Sequence, residues 1–353
     1  MQINNFIFDQ YSRYKACFEI IEKLGLQKNT SILDVGSGPE CLFGNFFKKG
    51  DLYFLDPLIP NTSRKNFISG DIFSKNPTLT NYNYVTAIDV YEHIPKSKRI
   101  HFLRKLSNHA RDHIILGFPS SDLSDASRVD LSINNNFASI HNSNYSWLDE
   151  HFKYGLPSAK DTCSHLEHMG WHCQIIGHGH APWLKETLSL VINSIESSID
   201  LKVAYKVSEK FNSEFYKFDF NPPFYRNFII ASRKKLPKIK LHTDNIIVRE
   251  INDKYTKFIK DSYCLFNADL SRNSLCLKLE RDNLKVERDN LKVERDNLKD
   301  FVTNIHSSKL WNILLLLRKL FYLKINIISS IKQKVKLEPR TLKNSKNDKP
   351  RKS

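Results

Sequence analysis

Through the first 236 positions, short apolar runs alternate with amphipathic stretches. Such runs fit strands of a parallel sheet buried on both faces, and the stretches between them fit covering helices. The pattern predicts strands at 31–35, 52–55, 66–68, 84–88, 113–118, 172–176 and 228–231, and helices at 11–24 and 97–108. Strand and helix taking turns in this way predict an α/β domain over residues 1–236. Its closing segment, PPFYRNFIIASRKK, reads as an edge strand with a basic exit.

Beyond that point the pattern changes. Residues 237–262 are charged and poorly periodic and read as a linker or a short helical bridge. Within 263–305, LERDNLK, VERDNLK and VERDNLK follow one another with a strict seven-residue period, which predicts a long helix. Leu284, Leu291 and Leu298 would form one edge of a coiled-coil seam joining copies of the chain. With those leucines at d, however, Arg288 and Arg295 fall at a, so a solvated single helix used as a spacer is the other reading. Residues 306–333 predict an amphipathic helix, with Leu316, Leu320 and Ile327 opposite Asn312, Lys319 and Ser330, and Trp311 and Tyr322 at its flanks. Such a helix suits a membrane interface, or else packs on protein. The tail, 334–353, is basic and expected to be disordered; from residue 332 onward nine Lys/Arg face two acids. An anionic membrane surface is therefore the partner expected for 309–353.

Charge sharpens this division. The net charge is +16, yet residues 1–236 hold 27 basic and 24 acidic side chains while 237–353 hold 27 and 14. A nucleic-acid enzyme concentrates basic charge around its substrate channel, so nucleic acid is not the expected partner. No uncharged apolar run reaches transmembrane length, the N-terminus lacks signal-peptide character, and the six cysteines form no CxxC pair. A reduced, cytoplasmic protein is expected.

The strongest motif is SILDVGSGPE, residues 31–40. An aliphatic strand runs into Asp34, Gly36, Ser37 and Gly38, where glycines let a ligand approach the backbone at the carboxyl end of the first strand. Twenty-two residues after Asp34 the next strand ends in Asp56, suited to accept both hydroxyls of a ribose. Together these point to an adenosine-containing cofactor. A dinucleotide fingerprint would need a glycine or alanine where Cys41 stands.

LDVGSGP (33–39), FLDP (54–57), SGDIF (69–73), AIDVYEHIP (87–95) and IILGFPS (114–120) resemble the motifs of class I S-adenosylmethionine-dependent methyltransferases, over about residues 15–235. The resemblance implies a Rossmann-like, seven-stranded sheet with helices on both faces and S-adenosyl-L-methionine as cofactor. It places the loop of Asp34, Gly36, Ser37 and Gly38 against the methionine part, Asp56 on the ribose, and Asp71 with Ile72 at the adenine. The segment from Asp89 to His93 would line the methyl-transfer face. Glu40 stands where the family often has a third glycine.

Transfer to a hydroxyl calls for a base, and Glu92 and His93 are candidates, the other reading being that they orient the loop and cap a helix. SIHNSNYSWLDEHFKYGLPS (139–158) resembles acceptor-recognition insertions of methyltransferases encoded with bacterial surface-polysaccharide enzymes, and adds His141 and His151 as base candidates. The histidines of CSHLEHMGWHC (163–173), and His178 and His180, follow helix–turn–strand grammar, so no metal site is expected. The resulting expectation is methyl transfer to a glycan or glycolipid precursor at the inner face of the cytoplasmic membrane. Rival readings are a small-molecule methyltransferase and a non-catalytic scaffold acting through its helix.

Overall fold

The structure is a computed structural model describing residues 6–48, 50–60, 64–74, 79–197 and 201–335. It divides into two units, Met1–Ser274 and Leu275–Ser353.

The first unit is built on a seven-stranded sheet: β1 (Ser31–Val35), β2 (Asp51–Asp56), β3 (Phe67–Ser69), β4 (Tyr82–Ile88), β5 (Ala110–Pro119), β6 (His172–His180) and β7 (Phe224–Ser232). Its order is β3-β2-β1-β4-β5-β7-β6, with β7 antiparallel to both neighbours. This is the Rossmann-like methyltransferase sheet that the resemblance implied. Strands β1 and β4 are adjacent, and the chain proceeds outward from them in opposite directions. Their carboxyl ends therefore form the switch point where open α/β sheets bind ligands.

Helix α1 (Phe8–Leu24) buries Ala16, Cys17, Ile20 and Ile21 on one face of the sheet, against Ile32, Ile115 and Ile230. Gly25, at φ +102°, ends the helix with its N–H on the Glu22 carbonyl. On the other face, α2 (Arg99–His109) packs Phe102, Leu103 and Leu106 against Leu33, Val85 and Leu116, with Leu166 from α5 (Ala159–His168). Between β5 and α5 lie α3 (Ala126–His141) and α4 (Ser146–Tyr154). After β6 come α6 (Ala181–Glu196) and α7 (Leu201–Lys210).

One expectation is corrected, and one left open between two readings is decided. The segment around β7 is not an edge strand: β7 lies between β5 and β6, and β6 takes the edge. Eight of its nine residues are buried, as its apolar run FIIA requires on a sheet covered on both faces. Of the two readings of 237–262, the helical one holds for its later part, which is also partly core. A single helix, α8 (Arg249–Ser307), starts inside it, and Tyr255, Phe258, Ile259 and Phe266 are buried against α6, α7 and Phe215. Tyr255 stacks on Trp183, ring centroids 4.4 Å apart, and donates its hydroxyl to the Trp183 carbonyl at 2.8 Å.

Within the second unit, α8 continues with Leu284, Leu291 and Leu298 exposed, and α9 (Lys309–Val335) carries exposed Leu316, Leu320 and Ile327. Among the described residues no helix is long and apolar enough to cross a membrane. Most of the basic tail, 336–353, lies outside the described residues.

Candidate active site

The turn after β1 is shaped by two left-handed glycines, Gly36 at φ +74° and Gly38 at +66°. A Cβ on Gly36 would stand 2.4 Å from Val90 Cγ2, so the loop after β4 lies directly against it. Gly36 N–H donates to the Leu55 carbonyl at 2.8 Å, and Gly38 N–H to Asp56 Oδ2 at 2.9 Å. The other oxygen of Asp56 accepts from Leu58 N–H at 2.8 Å. A carboxylate offers about four lone-pair positions, so two remain for ligand hydroxyls. Asp34, 2% exposed, accepts from Thr86 Oγ1 at 2.8 Å through Oδ1, while its buried Oδ2 has no partner among the described residues. Burial pushes this carboxyl up to about 7, against the Thr86 hydrogen bond, which lowers it. Ser37 is buried beside the loop. Asp71 folds back on its own turn, accepting from Phe73 and Ser74 N–H at 2.8 Å each, and Ile72 is buried in the core.

The segment after β4 splits its residues between two clusters. Asp89, at φ +53°, turns to the α1 side, where its Oδ2 accepts from Arg13 and Arg226, each at 2.8 Å. Asp9 bridges the same two guanidiniums at 3.1 and 2.9 Å. Two arginines and two aspartates compensate one another, which an arginine only 1% exposed requires.

Glu92 and His93 belong to the other cluster. Glu92 is 1% exposed with Oε2 unpartnered, and burial, then the nearby Asp89, pushes its carboxyl well up. His93 Nδ1 lies 2.8 Å from Glu150 Oε2. His151, from α4, stacks obliquely on His93 with ring centroids 5.0 Å apart. Its Nδ1 lies 2.9 Å from Asp130 Oδ2, and Asp130 Oδ1 accepts the Tyr225 hydroxyl at 2.6 Å. Because a carboxylate only accepts, both histidines carry a proton on Nδ1, and Nε2 is the nitrogen that accepts in the neutral ring. Burial lowers the pKa of His93, as does His151 beside it, so its ring is neutral near pH 7. Arg99 locks this arrangement: it donates to the Ile94 carbonyl at 3.1 Å and to the Gly155 carbonyl, tying the β4 loop to the end of α4.

Of the residues expected at a site, Asp34, Gly36, Ser37, Gly38 and Asp56 gather at the end of β1, and Glu92, His93 and His151 at the end of β4. His141 is not brought to them; its Nε2 meets Asn193 on α6 at 3.0 Å. Asp130, Tyr225, Arg99 and Arg13 were not read from the sequence. Asp130 left a signal, occupying the apolar stripe of α3 with Val129, Ile133 and Phe137. His165 and His168 lie on α5, and His178 is fully buried 3.2 Å from Ser12. A groove of about 540 Å³ between α7 and α8, lined by Lys206, Phe258 and Leu265 among others, contains none of the site residues.

No protein-family profile and no curated protein matches the chain. Among solved structures it is similar to magnesium protoporphyrin IX methyltransferase from Synechocystis PCC 6803 with bound SAH, at 14% identity over 65% of this chain and 89% of that one, TM-score 0.38. It is also similar to the cyclopropane synthase MmaA2 from Mycobacterium tuberculosis, at 15% identity over 62% and 82%, TM-score 0.39. The fold is set by the strand order and not by these likenesses.

Proposed function

We propose that the first unit catalyses S-adenosylmethionine-dependent methyl transfer to a hydroxyl of a glycan or glycolipid precursor in surface-polysaccharide biosynthesis. One observation carries the cofactor: Asp56 receives the Gly38 N–H at 2.9 Å, so glycine turn and acidic strand end meet at the switch point. The residues present fit the group. Gly36, Ser37 and Gly38 would lie along its methionine part with the unpartnered oxygen of Asp34 beneath, Asp56 would take the ribose hydroxyls, and Asp71 and Ile72 would stand near the adenine. When bound, the cofactor supplies a methyl group on a positively charged sulfur, ready for in-line attack. The chain would supply proton management. With Nδ1 held by Asp130, Nε2 of a neutral His151 would be the atom to take an acceptor hydroxyl proton, and Asp130 would stabilise the imidazolium that forms.

The acceptor class rests on the resemblance of 139–158 and on what that block becomes. Helix α4 brings His151 and Glu150 to His93 and leaves Trp147 65% exposed on the same helix, a flat apolar surface suited to a sugar face. The exposed leucines of α8 would pair copies of the chain, and α9 with the basic tail would hold it on an anionic inner membrane face.

Calorimetric titration of S-adenosylhomocysteine into the full chain tests the reading. Two hydrogen bonds to a charged acceptor are worth about 3 kcal/mol or more, so Asp56→Ala should weaken binding at least roughly 100-fold. A folded wild-type chain that binds no S-adenosylhomocysteine would end the enzyme reading in favour of the scaffold. A chain that binds it but methylates no lipid-linked glycan, while methylating soluble small molecules, would remove the acceptor assignment alone.

A further inference from the structure

We propose that Glu92, His93 and His151 form a binding site for one divalent transition-metal ion of the zinc type. Each of the three offers one ligand atom, and these atoms lie within 4.8 Å of one another. Ligand atoms around a tetrahedral zinc stand about 3.3 Å apart, given bonds of about 2.0–2.1 Å. The set is therefore somewhat wider than a closed zinc site, and His93 is its partly exposed member.

Three features distinguish this cluster from a chance meeting of polar groups. Both imidazoles have their Nδ1 taken by a carboxylate, Glu150 at 2.8 Å and Asp130 at 2.9 Å. That carboxylate–histidine pairing fixes the tautomer, orients the ring and raises the basicity of the nitrogen left over, as it does for metal-bound histidines. Neither Nε2 has a hydrogen-bond partner among the described residues. The third member, Glu92, is 1% exposed and keeps a buried Oε2 without a partner among the described residues, which is costly unless something binds it.

Two imidazoles and one carboxylate favour zinc and its first-row neighbours over magnesium or calcium, which prefer all-oxygen shells. Three protein ligands leave a coordination position open for an oxygen of a bound molecule. The lone pairs that would accept a hydroxyl proton in the metal-free site would hold the ion in the loaded one. No spacing pattern announces the set, since His93 and His151 are 58 positions apart. The site does not rest on the methyl-transfer reading, because its geometry stands without a cofactor.

The test uses the full chain, stripped with a chelator and titrated with zinc chloride by calorimetry and with cobalt(II) by visible absorption. One equivalent should bind per chain, with the intense cobalt bands of a four- or five-coordinate site. His93→Ala and His151→Ala should each weaken binding at least tenfold, and Asp130→Asn by about 10–100-fold through the His151 ring. His141→Ala should leave binding unchanged. His93 is partly exposed, so His93→Ala tests the site even if buried substitutions fail to fold. The proposal is overturned if folded His93→Ala binds zinc as tightly as wild type, or if cobalt shows only the weak absorption of the hydrated ion. S-adenosylhomocysteine titrated in parallel separates the two readings: its binding retained while zinc binding is missing removes the metal site alone.

Discussion

Asp130 Oδ2 stands 2.9 Å from His151 Nδ1 with both side chains buried, so a carboxylate on α3 fixes the proton of a histidine on α4. The other oxygen of Asp130 is filled by the Tyr225 hydroxyl from β7. The next helix in the chain and a strand 95 positions further on thus meet at one carboxyl group. Asp130→Ala would strand two buried donors at about 1–3 kcal/mol each, so a loss of about 2–6 kcal/mol is expected in urea unfolding. Tyr225→Phe removes a single donor and should cost about 1 kcal/mol. An Asp130→Ala variant within about 0.5 kcal/mol of wild type would mean that the carboxylate does not hold these groups.

Asp34 gives the domain a pH-dependent stability of known sign. Burial raises its folded-state pKa to about 7, whereas an unfolded aspartate titrates near about 3.9. The folded form therefore holds the extra proton in between. The associated stability is fully present below about pH 4 and is lost as pH rises through about 7. Asp34→Asn keeps an acceptor for Thr86 and never ionises, so its stability relative to wild type should grow between about pH 5 and 8. A difference that stays flat over this range in urea titrations would refute the account.

Gly36 and Val90 couple the two loops of the site. Alanine at Gly36 faces a left-handed backbone, costing roughly 1–2 kcal/mol, and a 2.4 Å approach to Val90 Cγ2, costing roughly 1–3 more. In a double-mutant cycle, Val90→Ala should remove the second part and leave the first. Strict additivity of the two substitutions would show that the loops do not press on each other.

The domain boundary lies later than the sequence pattern places it. Burying Tyr255, Phe258, Ile259 and Phe266 contributes on the order of 6–12 kcal/mol, comparable with the whole stability of a domain. A fragment of residues 1–236 should therefore fail to melt cooperatively, while one ending at Ser274 should melt as the domain does in the full chain. Calorimetric scans of both decide this, and a cooperative transition in the shorter fragment would contradict it.

The sheet was legible because a strand covered on both faces is largely apolar, and Ile32–Leu33 of β1, Val85 with Ala87–Ile88 of β4 and Ile114–Leu116 of β5 stand out. The glycine turn was legible for a similarly local reason: positive φ at Gly36 and Gly38 is a demand on single residues. The place of β7 was not legible, since an apolar strand looks the same at an edge or inside, and only pairing with both β5 and β6 decides. The helix at the amino half of α8 was one of two readings, but its packing on the domain was not legible, because charged residues between Tyr255, Phe258, Ile259 and Phe266 hid the stripe. For the site, the sequence by itself determined the local devices: turn, acidic strand end, and the Glu92–His93 pair. The tertiary structure alone decided which distant groups meet them, joining His151 to His93 and Asp130 to His151, and sending Asp89 to Arg13 and Arg226 and His141 to Asn193. Backbone conformation is dictated by neighbours along the chain. The proton on an imidazole, or the charge beside a carboxylate, is dictated by neighbours in space.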